Sequence, residues 1–83
     1  MTEHRHRLRE FESLRAVVAT GTTIGAARRL GISQSAVSRS ISQLEARVGR
    51  SLFIRRSGRI EPTSDALRLN DKLDPIFETL ADI

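Results

Sequence analysis

Apolar side chains recur along this chain at helical spacing. Leu8, Phe11, Leu14 and Val18 fall three or four residues apart, which places them on one face of a helix and predicts a first helix from about Leu8 to Thr20. Gly21 follows, a residue suited to the left-handed backbone that ends many helices. Thr22 or Thr23 can cap a second helix, its hydroxyl accepting a free first-turn N–H. That helix carries Ala26, Ala27 and Leu30 and stops at Gly31. Ser33 caps a third helix, with Val37, Ile41, Leu44 and Val48 on one stripe and Gly49 at its end. The pattern then changes. Leu52-Phe53-Ile54 with Arg55-Arg56, then Ser57-Gly58, then Arg59-Ile60-Glu61 read as two short strands about a tight turn, closed by Pro62. Thr63 caps a last helix that runs towards Ile83.

The last helix carries an unusual stripe. Ala66, Leu69, Leu73, Ile76, Leu80 and Ile83 alternate steps of three and four, which is a heptad seam. Its length exceeds what so small a domain can cover, so a second copy is expected on it, through Leu69, Leu73, Ile76, Phe77 and Leu80. The alternative is that the stripe folds back on the first three helices. Pro75 lies within this helix and cannot donate to the carbonyl of Asp71, a loss of about 3 kcal/mol in a helix interior. The helix either kinks there or breaks, with Asp74 as a new cap and Pro75 at the first helical position.

The segment from Thr22 to Gln43 has helix-turn-helix spacing. Ala27 stands where two helices touch, Gly31 where the turn needs a left-handed backbone, and Leu30, Ile32 and Val37 where the wedge between them must be filled. The outer face of the third helix holds Ser35, Arg39, Ser42 and Ala46, with Ser38 and Gln43 on its flanks and Gln34 in its first turn. No acid interrupts it before Glu45, whereas an ordinary solvated helix face mixes Glu with Lys. Short side chains let a helix enter the major groove, where Gln can pair with adenine and Arg with guanine. Ser33 and its neighbours at the helix start suit phosphate oxygens. Arg55, Arg56 and Arg59 cluster on the hairpin, placed to follow a nucleic-acid backbone or enter the minor groove. Solubilising charge is the plainer alternative for these arginines.

Charge sharpens the picture. Residues 1–60 carry twelve arginines against four acids, while residues 61–83 carry Arg68 and Lys72 against six. A basic body with an acidic tail segment suits a polyanion at the body alone. There is no cysteine, hence neither a disulfide nor a thiolate metal site. No apolar run is long enough for a membrane span, and a cytoplasmic protein without a membrane partner is expected. Enzyme chemistry finds no footing. The histidines are His4 and His6, in an arginine-rich stretch expected to be disordered, where they could grip a metal only loosely. The serines have no histidine near them in sequence, and the glycines match no nucleotide loop. No cofactor and no metal are expected.

The run GAARRLGISQSAVSRSISQLEARVGRSLFIRR resembles the N-terminal domain of LysR-type transcriptional regulators, and the likeness extends from about Leu8 to Ala66. Its most specific parts are Ala26-Ala27, Ser33-Gln34, Ser38-Arg39, Leu44-Glu45, Gly49, and Leu52-Phe53 followed by Arg55. The resemblance implies a mainly α winged helix-turn-helix over residues 1–62, with three helices and a two-stranded wing. A linker or dimerisation helix over 63–83 would follow. It implies a homodimer of antiparallel linker helices on an inverted repeat in double-stranded DNA, one recognition helix (about 33–48) per half-site. Gln34, Ser35 and Arg39 would enter the major groove, Ser33 and Ser38 would hold phosphates, and the wing arginines would reach the backbone or minor groove. A small-molecule effector would belong to a C-terminal domain beyond this chain. Thr23-Ile24 stands where an apolar residue followed by Thr is common. Ser35 replaces a frequent proline, Ile54 a frequent Glu, and Leu67 the usual Gly after Ala66; Pro75 is unusual in such a linker helix.

Overall fold

The computed structural model describes residues 2–57 and 59–83, with side chains from Arg7 onward. Four helices and one hairpin follow in the order α1 (Thr2–Thr20), α2 (Thr23–Leu30), α3 (Gln34–Val48), β1 (Phe53–Arg56), β2 (Arg59–Pro62) and α4 (Ser64–Ala81). This is the mainly α, winged architecture expected from the sequence. The first helix starts earlier than its apolar spacing suggested, at Thr2 instead of about Leu8, so the expected disordered stretch is helical in backbone. The side chains of His4 and His6, and Gly58, which the sequence assigns to the turn, lie outside the described residues.

The caps are those that the side-chain chemistry dictates. Thr22 accepts from the N–H of Gly25, Ser33 from that of Ala36 and Thr63 from that of Ala66, each satisfying a first-turn donor with no partner inside its helix. Gly31 closes α2 at φ 69°, its N–H turned back to the carbonyls of Ala27 and Arg28. A side chain in that conformation would crowd the backbone, so the sharp turn into α3 depends on glycine.

The core sits where α1, α2 and α3 meet. Leu14, Val17, Ala26, Val37, Leu44 and Leu52 are almost fully buried, and Ile41 and Phe53 join them. Each large apolar side chain removed from water contributes about 1.5–3 kcal/mol. Ala26 and Ala27 let α2 approach its neighbours closely. Two residues expected on core stripes stand at the edge instead: Leu8 is 44% exposed and Val48 is 42% exposed. Val48 is the last residue of α3, whereas Leu8 lies inside the longer α1.

The hairpin is antiparallel, with Phe53 opposite Pro62, Ile54 opposite Glu61, Arg55 opposite Ile60 and Arg56 opposite Arg59. Pro62 therefore ends the second strand from within. Ser57 takes φ 49° at the turn. Phe53 anchors the hairpin in the core, while the arginines towards its tip are exposed.

The last helix divides its seam in two. Ala66 and Leu73 are buried in the chain's own core, and Leu69 and Phe77 pack partly against it. Leu73, expected at a dimer seam, is 6% exposed and offers a second chain almost nothing. The fold-back alternative thus holds for Ala66, Leu69, Leu73 and Phe77. Ile76 and Leu80 remain about half exposed, and Ile83 almost wholly so. Arg15 of α1 fixes this packing, donating to Asp74 Oδ1 at 2.6 Å while its guanidinium lies 4.8 Å from the centre of the Phe77 ring. Pro75 resolves as an interior residue of an unbroken helix. Pro75 and Asp71 are both exposed, so water can satisfy the Asp71 carbonyl that proline leaves without a donor.

Candidate nucleic-acid interface

The outer face of α3 is built as the spacing implied. Ser35, Arg39, Ser42, Gln43 and Ala46 are exposed, Ser38 is half-buried, and Val37, Ser40, Ile41 and Leu44 point inward. At the helix start Ser33 Oγ lies 3.2 Å from Ser35 Oγ and accepts from Ala36 N–H at 3.1 Å. Small hydroxyls thus surround the free N–H groups and the positive end of the helix dipole, an arrangement that favours an anion. Gln34 is exposed but not free: its Nε2 donates to Thr23 Oγ1 at 2.9 Å.

The arginines differ in their pairing. Arg9, Arg15, Arg47, Arg50 and Arg68 are in ion pairs with Glu12, Asp74, Glu10, Asp65 and Asp65 respectively. Arg39, Arg55, Arg56 and Arg59 form no ion pair among the described residues and are exposed. These four lie on the candidate interface, while Arg28 and Arg29 of α2, also exposed and without an ion pair among the described residues, lie outside it. Within it, Arg56 and Arg59 stand directly opposite each other in the hairpin register. Like charges so placed repel and weaken a strand pair, and a bound polyanion would remove that cost.

The wing and the helices enclose a groove. Gly21, Thr22, Thr23, Ile24 and Gln34 line one side and Arg55, Arg59, Ile60 and Glu61 the other, around about 590 Å³. A smaller pocket beside it brings Arg55 to Ser38 and Ser42. Of the residues singled out in the sequence, the fold therefore gathers Gln34, Ser38, Ser42, Arg55 and Arg59. Arg56 lines neither hollow. Arg39 lies on the far flank of α3, in a depression with Arg9, Ala36, Ser40 and Gln43. No three His, Cys, Asp or Glu side chains converge among the described residues, and no helix among them is long and apolar enough to cross a membrane.

Three residues that position this face escape periodicity. Glu45 turns off α3 so that its Oε2 accepts from the N–H groups of Leu52 at 2.8 Å and Phe53 at 3.3 Å, tying the base of the wing to the third helix. Thr63, just after the second strand, completes the tie, its N–H donating to the Leu52 carbonyl at 2.9 Å and its hydroxyl to that of Ser51 at 2.9 Å. Thr23, a buried hydroxyl on α2, holds Gln34. Each contact spans seven or more residues, beyond the i to i+4 window in which helical spacing is legible.

Comparison with known proteins agrees with this architecture. The sequence profile of the bacterial regulatory helix-turn-helix proteins of the lysR family matches residues 8–67. The HTH-type transcriptional regulator DgcR of a Pseudoalteromonas species is 38% identical over 77 residues, which cover 93% of this chain and 26% of that protein. This chain thus spans about a quarter of the length of the curated relatives it matches. Among solved structures, the DNA-binding domain of CbnR in complex with DNA superposes with a TM-score of 0.80 at 30% identity, covering 89% of this chain and 85% of that one. The DNA-binding domain of BenM with catB site 1 DNA gives 0.83 at 27% identity, covering 90% and 84%. The relatives are regulators of transcription, not enzymes. With its four helices, its two-stranded wing and a profile match over most of its length, the chain belongs to the lysR family of bacterial regulatory helix-turn-helix proteins.

Proposed function

We propose that this chain is the DNA-reading part of a transcription regulator, acting on double-stranded DNA in the cytoplasm. The recognition helix is α3, with Gln34, Ser35, Arg39 and Ser42 at base edges in the major groove and Ser33 and Ser38 on phosphates. Arg55, Arg56 and Arg59 of the wing follow the backbone or enter the minor groove. The observation that carries this reading is an α3 face whose exposed residues from Gln34 to Gln43 include no acid, accompanied by the exposed Arg39, Arg55, Arg56 and Arg59, which form no ion pair among the described residues. The DNA complexes of the similar CbnR and BenM domains support it. Two copies joined through the exposed Ile76 and Leu80 of α4 would present two recognition helices to an inverted repeat. Residues 1–62 then act as the reading unit and 63–83 as the link between copies. Small-molecule sensing would belong to the regulator outside the matched quarter.

Salt titration of duplex binding tests the reading. A dimer neutralising about 6–10 phosphates loses roughly 10³–10⁵-fold in affinity between about 50 and 200 mM salt. Failure to bind duplex at any salt would assign the exposed face to a protein partner instead.

A further inference from the structure

We propose that Thr23 is a positioning residue that sets base preference through Gln34; the inference rests on α3 being the recognition helix. Thr23 is 7% exposed, the first residue of α2, and its hydroxyl is the acceptor for Gln34 Nε2 at 2.9 Å. A hydroxyl hidden from water lowers stability unless it is bonded, and Gln34 supplies that bond from the neighbouring helix. Both residues line the groove between the helices and the wing, so the pair sits at the mouth of the candidate interface.

The consequence follows from donor and acceptor counting. A primary amide has two N–H donors and one carbonyl acceptor. With one N–H held by Thr23, Gln34 retains its Oε1 and one N–H. Those two groups are what a two-point contact with the adenine edge requires. The bond also removes rotation about the terminal torsion of Gln34, which is otherwise broad and roughly two-fold. An untethered glutamine presents donor and acceptor ends interchangeably and suits several base pairs. A tethered one presents a single orientation. Thr23 therefore gives Gln34 its selectivity without touching DNA.

Thr23→Val removes the hydroxyl and keeps the buried volume, and Thr23→Ser keeps the hydroxyl. The probes are a duplex enriched from a random pool by the unaltered chain and its three single-pair variants at the base pair where Gln34→Ala loses preference. Competition binding should show Thr23→Val losing about tenfold in discrimination at that pair, within the range of a two-point base contact. Thr23→Ser should restore most of it. Discrimination unchanged in Thr23→Val, or a loss shared equally by all four duplexes, would overturn the positioning role. If the unaltered chain enriches no duplex, the recognition-helix reading itself falls, a separate outcome from either.

Discussion

Glu10 of α1 and Arg47 of α3 meet at 3.0 Å, and the carboxylate is 1% exposed where the guanidinium keeps 36% of its side chain in water. One ion pair thus pins the last turns of the candidate recognition helix to the first helix. Removing Arg47 strands a charge in the core, whereas removing both charges does not. Arg47→Met should destabilise the fold by about 3 kcal/mol, the lower end of what breaking a buried pair costs, because this pair is open to water on one side. Glu10→Met with Arg47→Met should recover most of that loss. Urea unfolding of the parent and the two variants measures both. A single variant as stable as the parent would contradict the role given to the pair.

Glu45 makes the corresponding tie to the wing. Hydrogen bonds to a charged acceptor contribute about 1.5–3 kcal/mol each, and Glu45→Ala loses two. The expected result is faster amide exchange at Leu52 and Phe53 and weaker DNA binding. Glu45→Gln, which keeps an acceptor oxygen, should fall between. Unchanged exchange at those two amides would show that the wing is held by Phe53 packing alone.

Arg39 stands on the exposed face of α3 and forms no ion pair among the described residues. Arg39→Ala should cost about 1–3 kcal/mol on the preferred duplex and flatten preference at one base pair. A loss equal on every duplex would make it a phosphate contact.

The buried and exposed positions of the α4 seam should answer mutation differently. Ile76→Asp with Leu80→Asp places charge on exposed positions and should turn dimers into monomers that keep their fold. Leu73→Asp places charge in the core and should unfold the chain before it dissociates anything. Sedimentation with circular dichroism separates these outcomes. A folded, dimeric Ile76→Asp/Leu80→Asp variant would move the interface elsewhere.

Local rules carried much of this structure. Threonine and serine caps at 22, 33 and 63 and the glycine at 31 behave as their side chains require, because capping acts over three or four residues. The outer face of α3 was legible for the same reason. What periodicity could not separate was which chain covers a seam. Ala66, Leu69, Leu73, Ile76 and Leu80 make one stripe in sequence, yet Ala66 and Leu73 are buried in the chain's own core while Ile76 and Leu80 stay about half exposed. The ties through Glu10, Thr23 and Glu45 were invisible because their partners lie seven to 37 residues away. A charged residue whose partner is that distant reads like any other surface charge.

Selection from a random pool of duplexes by the purified chain, followed by sequencing, tests whether α3 reads sequence. The expected result is an inverted repeat with half-sites about 10 base pairs apart centre to centre. No enrichment of any sequence, with binding that disappears as salt rises, would contradict it and leave α3 and the wing gripping only the DNA backbone.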